Sequence, residues 1–209
     1  MKNNYFTYYK PNAIIGLILI LGSILGFGLT CIIKYSNNLD ISYYQYPSTG
    51  LLLGGVIWLI DKYLWNKWLV RLLFNIPDIS GRYEGEIKYT NPITNKKENK
   101  ICAVEIFQTG SIIKVKSFFD KKDRTEESPS KSIIEKIVKN DDGSFSLVFT
   151  YKNKGISGKF QSHYGTNILD VIKNKDGTFL KGEYYTNRIP QTQGQMRVKF
   201  ITHTLKNEL

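Results

Sequence analysis

The chain has 209 residues, 42% hydrophobic and 13% aromatic, a composition that suits a folded protein and excludes disorder as the main state. A formal net charge of +11 points to an anionic partner or to a cytoplasmic membrane face, since basic residues mark both. Two cysteines, Cys31 and Cys102, and two histidines, His163 and His203, without GxSxG, HExxH, CxxC or P-loop patterns, offer no disulfide framework, no metal-ligand spacing and no catalytic constellation. The chain is therefore expected to be neither an enzyme nor a holder of a metal or cofactor.

Residues 1–74 read as a two-transmembrane region. The 21 residues from Ala13 to Ile33 carry no charge, matching the ~20 needed to cross a bilayer core as a helix. The run exceeds the ~7–15 residues of a signal-peptide apolar region, and no small-residue cleavage site follows it. A second, weaker span is expected at about 46–64, around Ser48–Ile60 and flanked by Tyr46, Tyr63 and Trp65 as interface aromatics. Lys2 and Lys10 precede the first span and Lys62, Lys67 and Arg71 follow the second, while the loop between them carries only Lys34 against Asp40. Both termini are thus expected on the cytoplasmic side of a multi-pass protein. Asp61 reads as a helix-end residue beside Lys62. Leu64, Trp65, Trp68, Leu69, Leu72 and Leu73 share one face, as an interfacial continuation of the helix would require.

The linker 75–80, "NIPDIS", breaks the helical pattern, and a β-rich ligand-binding domain is expected over 81–209, with Gly81 the first residue of its opening motif. From Gly81 onward 23 Lys and Arg face 15 Asp and Glu, so this part alone is strongly basic. The periodicity changes to two, predicting strands at 82–89, 101–108, 111–119, 132–139, 144–151, 163–172, 178–186 and 194–204. The fourth is the ambiguous one, because Ile133, Ile134, Ile137 and Val138 also suit a helix. "QTGS", "NDDG" and "NKDG" are tight-hairpin sequences. Eight sequential strands without a helix predict a small antiparallel up-and-down β-barrel, closed to remove its edges.

Alternation places Tyr83, Gly85, Ile87 and Tyr89 inside the first strand and Arg82, Glu84, Glu86 and Lys88 outside. The inside set continues with Phe145, Leu147, Phe149 and Tyr151, then His163, Gly165, Asn167, Leu169 and Val171. In the seventh strand the inward parity of Leu180 and Gly182 runs on through Tyr184, Thr186 and Arg188. An inward guanidinium needs an anionic partner or a wet barrel mouth, whereas a strand ending at Tyr185 would leave Arg188 on a solvated loop. Phosphate fits the Arg fork, and Tyr and Thr hydroxyls add donors. The candidate ligand-binding residues are Tyr83, Tyr151, His163, Tyr184, Thr186 and Arg188. The competing structural reading makes Tyr83 and Tyr151 core tyrosines and His163 a packed histidine. The basic residues form no visible stripe, so DNA or RNA is not expected as a partner.

Two N-terminal spans, "SGRYEGEI", "HYGTNILDV" and "LKGEYYTNRIPQTQGQMRV" together resemble the two-transmembrane β-strand-rich effectors of bacterial cyclic-oligonucleotide-based anti-phage signalling systems (CBASS). The resemblance implies a cytosolic eight-stranded barrel on an inner-membrane anchor, binding a cyclic di- or oligonucleotide made by a partner synthase. It also implies homo-oligomerisation of the membrane segments on activation, loss of inner-membrane integrity and abortive infection. The alternative is a membrane-tethered, lipocalin-like carrier or sensor of an apolar molecule, which predicts an uncharged lumen.

Overall fold

The computed structural model describes residues 5–36, 47–120, 128–153 and 162–208. Lys2, Asp40 and Tyr46 lie outside the described residues. Its contacts divide the chain into two compact units, one built from residues 2–75 with the turn 109–111, the other from 76–108 and 112–209.

In the first unit, helix α1 (Pro11–Ser36) contains the predicted first span, and it is the one helix among the described residues long and apolar enough to cross a membrane. Helix α2 (Thr49–Leu59), capped by the Ser48 side chain accepting from the Leu51 amide, is only 11 residues and runs into a π-helical turn, Ile60–Leu64. Together they fall short of the ~20 residues a straight span needs, so the two-helix hairpin reduces here to one long apolar helix and a short second one. The expected interfacial helix is replaced by turns and a 3-10 segment, Val70–Leu73. The shared face is broken accordingly: Trp65 is buried with Tyr9, Ile14 and Phe74, while Trp68 is exposed. Asp61 is no simple helix end. It is buried and accepts from the Tyr9 hydroxyl at 2.9 Å, from Ser111 Oγ at 2.6 Å and from Thr109 Oγ1 at 3.2 Å, while its carbonyl accepts from the Gly110 amide. A buried carboxylate needs such partners.

The second unit is a closed antiparallel barrel of eight strands in sequence order. The strands are β1 (Gly81–Thr90), β2 (Lys97–Gln108), β3 (Ile113–Asp120), β4 (Ser128–Lys139), β5 (Phe145–Asn153), β6 (His163–Asn174), β7 (Gly177–Thr186) and β8 (Gln193–Thr202). Closure by β1–β8 pairing gives every edge a partner. The helix-like spacing in β4 has a local cause: a register shift between Ser132 and Ile134 turns Ile133 and Ile134 outward while Ile137 stays buried. Strand β8 stops at Thr202, whose Oγ1 accepts from the Thr204 amide and turns the chain away.

Inward parity holds where it is apolar. Across the strands run facing partners Ile137, Leu147, Leu169, Gly182, Met196 and Ile87, which form one layer of the core. Gly182 is dictated by closeness, because a Cβ there would lie 1.9 Å from the Ile168 carbonyl oxygen.

Arg82 departs from expectation. It lies on the outer face but is 1% exposed, because the C-terminal segment folds over it. Its Nη1 bonds Glu105 Oε1 at 2.8 Å and the Glu208 carbonyl, its Nε bonds Glu84 Oε1 at 2.6 Å, and Glu105 in turn accepts the Lys206 and Asn207 amides. Period-two patterning cannot foresee a cover supplied by the chain's own tail.

Candidate functional site

The barrel interior changes character along its axis. Beyond the Leu147–Leu169 layer lie Phe149, Asn167, Tyr184, Gly194 and Tyr89 as facing partners, then Ser132, Tyr151, Gly165 and Thr186, and then Ser117, Ser130, Asn153 and His163. These rows are made by the ends of odd strands and the beginnings of even ones, so they all belong to one end of the barrel. The interior at that end is lined by hydroxyls, amides and rings.

Five of the six candidate residues meet there. Strand β7 ends at Thr186, and the chain turns through Asn187 and Arg188 before Thr192 returns to it. Arg188 is thus on a turn rather than on the strand, as a simple loop reading required, yet it is half-buried and its Nη2 donates to His163 Nδ1 at 3.3 Å. An accepting Nδ1 leaves the imidazole proton on Nε2. The turn is pinned by Thr186, whose amide and hydroxyl both donate to the Thr192 carbonyl, at 3.0 and 3.1 Å. Asn187 fixes its other flank through Tyr164, donating to its carbonyl and accepting from its amide. Thr186 therefore positions Arg188, and the expected hydroxyl donor is already engaged with the backbone.

Tyr151 lies across Gly165. A Cβ on Gly165 would come within 2.3 Å of the Tyr151 hydroxyl and 2.4 Å of Cζ, so only glycine lets the ring occupy this place. The ring sits edge-on to His163 at 6.5 Å and tilted to Phe119 and Phe149, both at 6.3 Å. Burial pushes the Tyr151 phenol up to about 12 despite the opposing pull of Arg188. Burial likewise raises Tyr184, with Tyr151 and Tyr89 adding to the effect. Both are hydroxyl donors at neutral pH.

Tyr83 is not brought to this end. It is buried at the opposite end, its hydroxyl donating to the Ile79 carbonyl at 3.0 Å and its ring 5.5 Å from Phe200, as a core tyrosine would be.

Several residues at this end carry no signal in the strand pattern. Lys100 and Glu98 fall on the inward parity of β2, which begins four residues earlier than predicted because the charge-rich "NKKENK" reads as a turn. Lys100 is half-buried with Nζ 5.8 Å from the Tyr89 ring centroid, and Tyr89 donates to Glu98 at 2.6 Å. Asn153 Nδ2 donates to Ser130 Oγ at 2.9 Å, both residues buried. Asn167 is 0% exposed, and neither atom of its amide has a hydrogen-bond partner among the described residues. Alternation had placed Asn167 inside, and a polar residue at a core position was the available signal.

Two cations, several hydroxyls and a cluster of aromatic rings at one end of a small barrel are the groups that suit an anionic aromatic ligand. Among curated proteins none matches the chain. The family model described as "Cap15, cyclic dinucleotide receptor domain" matches residues 74–199, well over half of the chain and nearly all of the barrel. The chain belongs to the Cap15 family, whose domain is the cyclic dinucleotide receptor of CBASS effectors.

Proposed function

We propose that the Arg188 end of the barrel is the ligand site and that the protein is a non-catalytic receptor and effector. A cyclic dinucleotide binds with phosphate on the Arg188 fork and bases against Tyr151 and Tyr184. Tyr151, His163, Tyr184, Thr186 and Arg188 form the site, Thr186 by holding the turn, and Tyr83 supports the barrel from its far end. The observation that carries this reading is the guanidinium held by His163 in an aromatic-lined, hydroxyl-rich barrel end, in a domain of this family. The same cation, with Lys100 on the inward face of β2, argues against a lipocalin-like carrier, whose lumen would be uncharged.

The output follows from linkage. A ligand shifts an equilibrium only as far as it binds the two states differently. The ligand-bound form is the one that assembles through the N-terminal apolar segments, in a multi-pass arrangement in the bacterial inner membrane. Assembly breaks that membrane and ends the infected cell's growth. A cyclic-nucleotide synthase supplies the signal.

The test is calorimetric titration of the full chain in detergent with a panel of cyclic dinucleotides, linear dinucleotides serving as controls. Saturable binding of a cyclic species is expected, weakened about 10–150-fold in Arg188→Ala, the worth of one charge-assisted hydrogen bond. Failure of folded wild-type protein to bind any member, or an unchanged affinity in Arg188→Ala, overturns the assignment. Cross-linking in liposomes with and without the ligand tests the output, and identical assembly in both refutes it.

A further inference from the structure

The side chain of Asn167 is the most exceptional group in the barrel. It is fully buried in the second layer, with both its oxygen and its nitrogen unpartnered among the described residues. Its facing partners are Phe149 on β5 and Tyr184 on β7, so the amide is flanked by two aromatic side chains. Towards the barrel end the next inward residue on its own strand is Gly165, under the Tyr151 ring. Burying an amide without partners is unfavourable, and such groups persist where something else completes them. Valine, the apolar β-branched residue nearest to it in size, would fill the position without that penalty, so the amide is retained for another purpose.

We infer that Asn167 is the base-reading residue of the site, pairing bidentately with the edge of an adenine that lies against the Phe149 and Tyr184 rings. This rests on the receptor reading above. An amide presents one donor and one acceptor side by side. Adenine matches them with its exocyclic amino group and an adjacent ring nitrogen, and leaves no further polar group on that edge. Guanine would bring its 2-amino group, and uracil or cytosine its 2-carbonyl, into a place where each would be buried without a partner. A site built this way rejects the wrong base through the group it cannot satisfy. The class of ligand is therefore a cyclic dinucleotide with at least one adenine.

The experiment uses the full chain in detergent, wild type against Asn167→Leu and the smaller, strand-favouring Asn167→Val. Two readouts are taken: the melting temperature without ligand, and titration with cyclic di-AMP, cyclic di-GMP, cyclic di-UMP and a mixed adenine–uracil ring. Wild type is expected to bind an adenine-containing ring at least about tenfold more tightly than either adenine-free one. Both variants should weaken that binding about 10–100-fold, through the two hydrogen bonds lost, and Asn167→Val, the nearer in size, should melt at a higher temperature than wild type because the orphaned amide is gone. A lower melting temperature of Asn167→Val, or failure of both variants to fold, would mean that the amide holds the barrel together, and overturns the inference. So does tightest binding of an adenine-free ring by wild type, or undiminished binding by a folded variant. Those outcomes leave the receptor reading standing, whereas wild-type protein that binds no member of the panel removes both.

Discussion

Gly165→Ala is a small change with a calculable consequence. The added methyl would sit 2.3 Å from the Tyr151 hydroxyl oxygen, 2.4 Å from Cζ and 2.7 Å from Cε1, against an ordinary contact of about 3.5–4.0 Å between carbons. The ring must therefore move by roughly 1 Å, away from its packing on Phe119, Phe149 and His163. Overpacking of this kind costs about 1–3 kcal/mol, offset by about 0.5–1 kcal/mol that alanine gains over glycine within a strand. The net loss is centred at about 1 kcal/mol and is at most about 2.5 kcal/mol, a fall in melting temperature of about 3–5 °C at the centre for a domain of this size. The double mutant isolates the cause. In a Tyr151→Ala background the obstruction is absent, so Gly165→Ala should there be neutral or stabilising. Thermal unfolding of the four proteins, followed by near-ultraviolet circular dichroism in one detergent, completes the cycle. Additive effects, with Gly165→Ala equally damaging in both backgrounds, would refute the argument that Tyr151 is what Gly165 accommodates.

Other outcomes follow from the same contacts. Glu105→Ala leaves the Arg82 guanidinium buried without its inner partner and releases the Lys206 and Asn207 amides. It should cost about 3–5 kcal/mol and speed hydrogen exchange in the C-terminal segment, read by denaturant titration and mass spectrometry. Unchanged exchange there would mean that Glu105 does not hold the tail. Lys100→Gln is expected to lower the affinity for the cyclic dinucleotide about two- to fivefold and to flatten its salt dependence, since a partly exposed charge is worth little more. Cys102 is buried with its thiol pushed up by that burial, beside a smaller effect of Glu86, so in Cys31→Ser protein it should stay unmodified by a thiol reagent at pH 8 until the barrel unfolds. Modification before unfolding would show that β2 opens locally.

Much of the barrel was legible because its cause is local. Alternation from Phe145 to Tyr151 and from His163 to Val171 is enforced by a single buried face, and the hairpin sequences fix which strands are neighbours. What escaped the reading had non-local causes. The bulge at Ser132–Ile134 gives β4 a helical spacing that only strand pairing can resolve. Arg82 reads as a solvent-facing residue until the tail that covers it is in place. In the N-terminal unit, apolar composition marks α1 well, but Trp65 and Asp61 are assigned by contacts with Tyr9, Phe74 and the 109–111 turn that no periodicity encodes. The site was half legible. The inward run Tyr184, Thr186 and Arg188 points to the polar end of the barrel, while the role of Thr186 as a staple for the turn depends on the return of Thr192.

The gradient inside the barrel connects these points to function. An eight-stranded barrel can be filled by its own side chains, and the Leu147, Leu169 and Met196 layer shows the chain doing so with apolar residues. At the other end the same geometry holds Asn153, His163, Asn167 and Thr186, all buried, and of these Asn167, without hydrogen-bond partners among the described residues, is less favourable there than an aliphatic residue. Stability alone would extend the apolar layer to the mouth. The polar end instead leaves the Asn167 amide unpartnered among the described residues and a guanidinium braced on an imidazole, so the barrel by itself is less stable than an apolar end would make it. A ligand that satisfies those groups gains the difference, and binding and stabilisation of the barrel are then one event.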